Sequence, residues 1–385
     1  MPTVAEQTIV ARTALRLRDG GPTTATDLAR TLEISRTSVE NALAQLQDAG
    51  LVADAQPLPG RGAGRPARHY GFSAAAGLVA GVDVGVHSVR VVLSDLAGVV
   101  VAHERAPGLD PDADAATQLD AVVAAIDAAV AAVRTPHGGL RAVGVALPGI
   151  VDDSGRVVAS VILTAWPGVD VARLLRERLG CPVVLDNGVR LAAVAEHHLG
   201  AARLVDDVLY LSVGARIAAG IILDGRPRRG PHNAAGDIGR LAFRGIDEDT
   251  GQIAWRTAGS GEEVFALAES GHPEARAELT GFIDELARGI ATLAMTIDPA
   301  MVVIGGGMSL AREALLAPLR TAVMRRIRIP VDLPIVAARL GGEAAAHGAV
   351  VFAFIRCADD VTGLPDLPPP PIAPLEDAAL VAADR

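Results

Sequence analysis

The chain has 385 residues, half of them hydrophobic, and a formal net charge of −10. That length gives room for two or three domains, each with its own core. No apolar run approaches the roughly 18 residues of a membrane span, and the two cysteines, Cys181 and Cys357, give no disulfide framework. Acids, arginines and threonines interrupt the N-terminal stretch, so no signal peptide is read there and a cytoplasmic protein without a membrane partner is expected. The acidity excludes a globally basic nucleic-acid binder, but not one with a local basic face.

Residues 1–72 differ from the rest. They hold eight Arg and seven Asp/Glu, a net of +1, so the acidity belongs to the remainder. Three helical patterns follow one another here. The first covers about residues 4–18 and ends at the breaker Gly20-Gly21-Pro22. The second, "TATDLARTLEI", places Leu28 and Leu32 on one face. The third opens at Ser35, a good N-cap, and ends at Gly50. On a helical wheel Val39, Leu43 and Leu46 fall within about 60° of each other. The opposite face carries Thr37, Asn41, Ala44 and Asp48, with Ser38 and Gln45 to one side. Small hydroxyl and amide side chains on such a face suit the major groove, where they reach base edges. Then comes "GRGAGRPARHYGF", read as part of a two-stranded wing whose loop carries Arg61, Arg65 and Arg68 with no acid between them. Such a loop suits phosphates or the minor groove. Together these elements predict a winged helix-turn-helix. A small helical accessory domain with a charged hairpin is the alternative.

The larger part begins near Leu78 and shows a weak internal repeat. "LVAGVDVGVHSVRVVLSDLAGVVVAHERA" reads strand, Gly turn, strand, turn, strand, and residues 206–230 repeat the scheme. Between them lie a helix over about residues 119–133 and the strand-turn "RAVGVALPGIVD". Two hairpin-first α/β lobes in tandem are the plan of the actin-like ATP-binding fold, in which Gly turns let backbone N–H groups approach phosphates. "DPAMVVIGGGMSL" adds a strand, three glycines and a helix, and residues 340–354 read as a closing helix. From Ala358 the chain is rich in Pro and acids, and residues 358–385 are expected to be a disordered tail. The expected lobes are 78–198 plus 343–357, and 199–342.

The ordered set "GRPARHY", "GVDVG", "VGVALPGIVD", "WPGVDVARLLRERLGCPVVLDN", "AGDIG" and "DPAMVVIGGG" resembles the ROK family of repressors and sugar kinases over about residues 10–356. It looks most like the repressor branch, because ROK kinases usually lack the DNA-binding domain. The resemblance implies a two-lobed, ribonuclease H-like sugar-kinase fold and a homo-oligomer, dimer or tetramer.

The sequence departs from the family where phosphoryl transfer is done. ROK kinases read D-N-D at a strand end, and the second Asp is the general base. Here the strand end is Asp186-Asn187-Gly188, and losing a positioned base costs about 10²–10⁴ in rate. The first phosphate loop, D-x-G-G-T in the family, is Asp83-Val84-Gly85-Val86-His87. The second, G-T-G-I-G-A-G, is "GARIAAG", with Ala215, Arg216 and Ala218 departing. The family's structural zinc uses a histidine after "GEIG" and a C-x-C-G-x-x-G-C cluster. Here the histidine position is Arg240, and residues 241–261 contain no Cys or His, so no metal and no cofactor is expected. At the sugar site Asn187, Trp166 and, with a shorter side chain, Asp237 match the family, while Ala254 stands for its later Glu. Asn187, Asp237, Trp166 and Asp83 are therefore the candidate ligand-binding residues.

The expected function is a sequence-specific transcriptional regulator, a repressor of genes of sugar or related metabolism, with a double-stranded DNA operator as partner. Ser35, Arg36, Thr37, Ser38, Asn41, Gln45, Arg61, Arg65 and Arg68 are its candidate DNA contacts, and the kinase-like part is catalytically inactive. A small-molecule effector, a sugar or derivative, is a candidate partner. The alternatives are a weak ATP-dependent sugar kinase with a DNA-binding head, and a scaffold whose large domain binds another protein.

Overall fold

The computed structural model describes residues 8–56, 67–239, 243, 245–247 and 251–373. Helix α1 (Ile9–Gly20) is capped by Thr8, whose side chain accepts the Ala11 amide proton at 3.2 Å. The cap moves the helix start past the expected residue 4, and residues 1–7 lie outside the described set. Gly21, at φ 73°, ends α1. Strand β1 (Thr23–Thr24) follows, and Thr24 caps helix α2 (Ala25–Leu32). Glu33, left-handed at φ 56°, closes α2 and turns the chain into helix α3 (Arg36–Asp48). Val39, Leu43 and Leu46 of α3 are buried together with Ala14, Leu17 and Leu28. Each such leucine contributes about 1.5–3 kcal/mol through burial. Strand β2 (Val52–Ala55) runs antiparallel to β3 (His69–Phe72), with Val52 opposite Phe72. β3 also pairs with β1, Thr23 opposite Tyr70, giving a sheet of order β1-β3-β2. Two threonines are too short to show a strand period, so β1 was invisible in the sequence.

The first lobe opens with the antiparallel meander β4 (Leu78–Val84), β5 (Ser88–Asp95) and β6 (Val100–Pro107). Asp114 caps helix α4 (Ala115–Ala131), which packs on β5 and β6. After it come β7 (Leu140–Leu147), the small hairpin β8 (Ile150–Val151) and β9 (Val157–Ala159), helix α5 (Val171–Leu179) and β10 (Val183–Asn187). The sheet order is β10-β7-β4-β5-β6.

Helix α6 (Gly188–His198) leads to the second meander, β11 (Val208–Val213), β12 (Ile217–Leu223) and β13 (Arg226–Pro227). Helices α7 (Gly261–Glu269) and α8 (Pro273–Ile297) precede β14 (Met301–Gly305), then α9 (Glu313–Ile327) and β15 (Ile335–Ala337). This sheet has the order β13-β12-β11-β14-β15, and β14 runs parallel to both of its neighbours. Leu209, Leu211 and Ile304 of the sheet share a buried core with Leu286 and Ile290 of α8 and Leu319 of α9. The internal repeat read from the sequence is thus two sheets that each begin with an antiparallel hairpin. Helices α10 (Ala344–Arg356) and α11 (Ala358–Thr362) complete the elements.

The chain divides into two compact units, and their boundaries correct the expected ones. One unit holds residues 1–145, 171–185 and 349–385, so the N-terminal helices group with the first lobe; the other holds 146–170 and 186–348. Helix α6 belongs to the second unit because it packs on β11 and β12. Gly220 of β12 lets it approach: a Cβ there would lie 2.8 Å from the Val189 carbonyl oxygen.

The expected disordered tail is also corrected over its described part. Residues 358–373 form α11 and an extended proline-rich strap. Leu367 and Ile372 are buried, Ala373 exchanges backbone hydrogen bonds with Gly98 and Val100 at 2.9 and 3.2 Å, and Arg18 of α1 donates to the Pro368 carbonyl at 2.7 Å. Apolar residues spaced among the prolines gain enough burial to hold the strap down, which its composition alone conceals.

Candidate nucleic-acid interface and ligand site

The exposed face of α3 is built by its cap. Ser35, extended at its own position, accepts the Ser38 amide proton at 3.1 Å, and the two hydroxyls lie 2.8 Å apart. Ser35 thus serves the helix start. With Val39, Leu43 and Leu46 turned inward, Thr37, Asn41, Ala44, Gln45 and Asp48 are exposed and Ser38 is half-buried, as the wheel predicted. Arg36 pairs with Glu40 one turn on, Nε to Oε1 at 2.8 Å, with both side chains exposed. Arg68 pairs with Asp54 of β2 at 2.7 Å and lies over the Tyr70 ring at 5.0 Å. Both pairs are exposed and screened by water, so neither arginine is held firmly by its carboxylate. Arg61 and Arg65 lie outside the described residues.

The residues that the resemblance assigns to a sugar site begin at the end of β10. Asn187 is the N-cap of α6: its Oδ1 accepts the Val189 and Arg190 amide protons at 2.9 and 3.2 Å. Its Nδ2 donates to the Gly149 carbonyl at 3.0 Å. The side chain expected to hold sugar hydroxyls is engaged by the protein itself. Gly188 is the first residue of α6 and offers no carboxylate. Trp166 is completely buried, which makes it core, and its indole Nε1 has no hydrogen-bond partner. Asp237 is exposed, beside Gly236 at φ 94°, where a Cβ would meet the Ala219 carbonyl oxygen at 1.9 Å. Asp83 lies in the other unit, on β4, where Arg90 of β5 reaches it at 3.2 Å. Burial pushes its pKa up to about 6, against the pull of Arg90.

Two arginines not singled out in the sequence organise the strand end. Arg190, 2% exposed, donates through Nη1 to Asp186 Oδ1 and through Nη2 to the Asn233 carbonyl at 3.0 Å. Arg229 Nε faces Asp186 Oδ2 at 3.3 Å, while its Nη1 pairs with Asp153 at 2.8 Å and its Nη2 donates to the Val151 carbonyl at 3.2 Å. Asp186 Oδ1 also accepts the Asn187 amide proton at 2.7 Å. These bonds tie the strand end to the β8–β9 hairpin and to the loop after β13. One signal was available: Arg190 is a cation one turn after Asp186 in an otherwise apolar helix, the spacing of an i,i+4 pair.

The turn that the resemblance reads as the second phosphate loop takes a compact form. Gly214 N donates to the Arg216 carbonyl at 3.0 Å, closing the β11–β12 turn, and the Ala215 carbonyl accepts the Ile253 amide proton at 2.8 Å. Gly306, at φ 79°, lies against this hairpin, where a Cβ would sit 2.5 Å from the Val213 carbonyl oxygen. In the first lobe Val86 and His87 turn β4 into β5 without positive φ. The zinc that the resemblance implies does not fit. The loop that would carry it contains no Cys or His over 241–261, and residues 256 and 257 are anchored by the carboxylate of Glu278.

Among the described residues, no helix is long and apolar enough to cross a membrane. A xylose repressor of Caldicellulosiruptor bescii is 24% identical over 85% of this chain and 90% of its own length. A glucokinase of Streptomyces coelicolor is 27% identical over 72% of this chain and 98% of the kinase. Among solved structures, a ROK family transcriptional regulator homologous to the E. coli MLC protein has a TM-score of 0.68 at 22% identity, covering 92% of this chain and 96% of that one, a likeness of fold. Residues 79–252 and 241–354 match the ROK family model, and the chain belongs to the ROK family.

Proposed function

We propose that the chain is a sequence-specific DNA-binding transcriptional regulator, a repressor of genes of sugar or related metabolism. The observation that carries this reading is α3. It buries Val39, Leu43 and Leu46 and leaves Thr37, Asn41 and Gln45 exposed on one side, next to a three-stranded sheet whose β2–β3 loop holds Arg61 and Arg65. Helices α1 to α3 and this sheet form a winged helix-turn-helix. α3 enters the major groove, and Arg36 and Arg68 exchange their carboxylates for phosphates. The likeness to a xylose repressor along most of the chain supports the reading. Self-association of the kinase-like part then sets two α3 helices about 34 Å apart, one DNA turn.

The kinase-like part is an effector and oligomerisation domain without catalysis, because Gly188 stands at the position of the base. The experiment is selection from random DNA near physiological salt, with Arg65→Ala beside the natural chain. The reading expects a palindrome enriched by the natural chain and little enrichment by the variant; equal enrichment by both would overturn the assignment of the wing. A residual sugar kinase is the second reading, favoured by the likeness to a glucokinase across 72% of the chain. ATP turnover with a panel of hexoses separates the two.

A further inference from the structure

The chain just before β11 forms an exposed knob, and beside it lies a groove of complementary character. The knob is the turn after α6. The Val205 amide donates to the Ala202 carbonyl at 3.2 Å, which closes a turn with Arg203 and Leu204 at its centre. Leu204 holds the third position of that turn at φ 65°, where glycine is the ordinary residue, and its side chain is 97% exposed. A large apolar side chain in water, on an unfavourable backbone, is not held there by packing within its own chain. The turn itself is anchored. Glu196 of α6, completely buried, accepts the Ala201 amide proton through Oε2 at 2.7 Å, and the Arg339 and Leu340 amide protons through Oε1 at 2.9 and 2.8 Å. Leu204 and the exposed Arg203 are thus presented in a fixed shape, which lowers the ordering cost of binding.

The groove lies between the C-terminal ends of α8 and α9 and the segment leading into β15, and its volume is about 310 Å³. Met295, Ile329 and Leu333 line it, and the first two are 55% and 44% exposed. Its acids are Asp207, Asp298 and Asp332, and among the described residues no cation lines it. An apolar floor with an acidic rim fits an apolar side chain next to a cation, which is the composition of the knob. Knob and groove are also neighbours. Asp207 borders the groove and stands three residues after Leu204, so at most about 11 Å of chain separates them. A two-fold axis at this end of the sheet can seat each copy's knob in the other copy's groove, and such a contact closes on itself.

We propose that this end of the second sheet is the surface by which two copies of the chain associate. Leu204 of one copy enters the groove of the other, and Arg203 faces its acidic rim. The inference rests on the self-association invoked above and assigns residues to it.

The test is sedimentation equilibrium of the full chain, without DNA, on the natural chain, Leu204→Gly, Met295→Glu and an equimolar mixture of the two variants. Leu204→Gly removes the knob at a backbone position that glycine prefers, and Met295→Glu changes an exposed side chain, so both variants keep the fold, which circular dichroism checks. Each variant alone should raise the dimer dissociation constant at least tenfold. The mixture should associate more tightly than either variant alone, because a mixed dimer keeps one intact knob and groove. An unchanged dissociation constant in either variant, or a mixture no tighter than its parts, would overturn the interface and leave self-association standing. A natural chain that stays monomeric at every concentration would overturn both. Because DNA is absent, none of these outcomes depends on operator recognition, which the selection experiment tests separately.

Discussion

Glu278 of α8 accepts the amide proton of Thr257 through Oε2 at 3.0 Å, and the Thr257 hydroxyl donates to the same oxygen. Its other oxygen accepts the Arg256 amide proton at 2.7 Å. One carboxylate thus anchors a loop for which the family uses zinc, and the ring of Trp255 beside it rests on Phe282 at 5.0 Å. Glu278→Ala would leave two backbone donors without acceptors, at a cost on the order of 3 kcal/mol. Urea unfolding measures the loss, while a metal chelator should leave the stability of the natural chain unchanged.

The same carboxylate gives a pH dependence with a definite sign. Burial pushes its pKa up, but the bonds from the Thr257 hydroxyl and the Arg256 and Thr257 amides, with the Arg256 charge, bring it below its ordinary value. A depressed carboxylate contributes stability that is present above its unfolded pKa and is lost as pH falls through the folded one. The natural chain should lose more stability than Glu278→Gln between neutral pH and about pH 4, in denaturation series run side by side.

Asp83 works in the opposite sense. Its folded pKa, raised by burial from 3.8 to about 6, means that its favourable contribution exists at acid pH and disappears as pH rises through about 6. Asp83→Asn stays neutral throughout, so it should gain on the natural chain between pH 5 and pH 7.5. A difference that does not change with pH would contradict the burial of this carboxyl.

On α3, recognition and stability should separate. Asn41→Ala removes an exposed side chain and should leave unfolding within about 0.5 kcal/mol of the natural chain. It should weaken binding to the selected operator by about 1–3 kcal/mol if the amide reads a base. Leu43→Ala does the reverse at its origin: it empties a buried site at about 2–5 kcal/mol, and DNA binding fails because the head melts. Operator titration together with thermal unfolding distinguishes the two.

Both cysteines should resist alkylation. Cys181 and Cys357 are buried, and burial pushes each thiol up to about 11, so little reactive thiolate exists at neutral pH. Iodoacetamide should label the folded chain slowly and the urea-unfolded chain at two sites; rapid labelling of the folded chain would contradict the packing around them.

The sequence disclosed what local chemistry controls. Ser35 marked the start of α3, a period near 3.6 chose its buried face, and the glycine turns outlined two hairpin-first sheets. It concealed what depends on distant partners. Arg229 meets Asp186 from a distant part of the chain. Asn187 matched a ligand-binding residue, yet its oxygen faces the amides of α6, a choice that only the helix direction makes. The strap failed for another reason: prolines dominate its composition, while two residues, Leu367 and Ile372, decide its fate. Pairs formed far apart in sequence leave no periodic signature to read.

The strap also sets an order of events during synthesis. Helices α1 to α3 leave the ribosome long before residues 364–373 exist; at about 5–20 residues per second the interval is some tens of seconds. A nascent chain therefore carries α1 to α3 before the bond that fastens them, at Arg18, can be made. Arrest of translation in that interval would yield a product that lacks the contact between α1 and the strap.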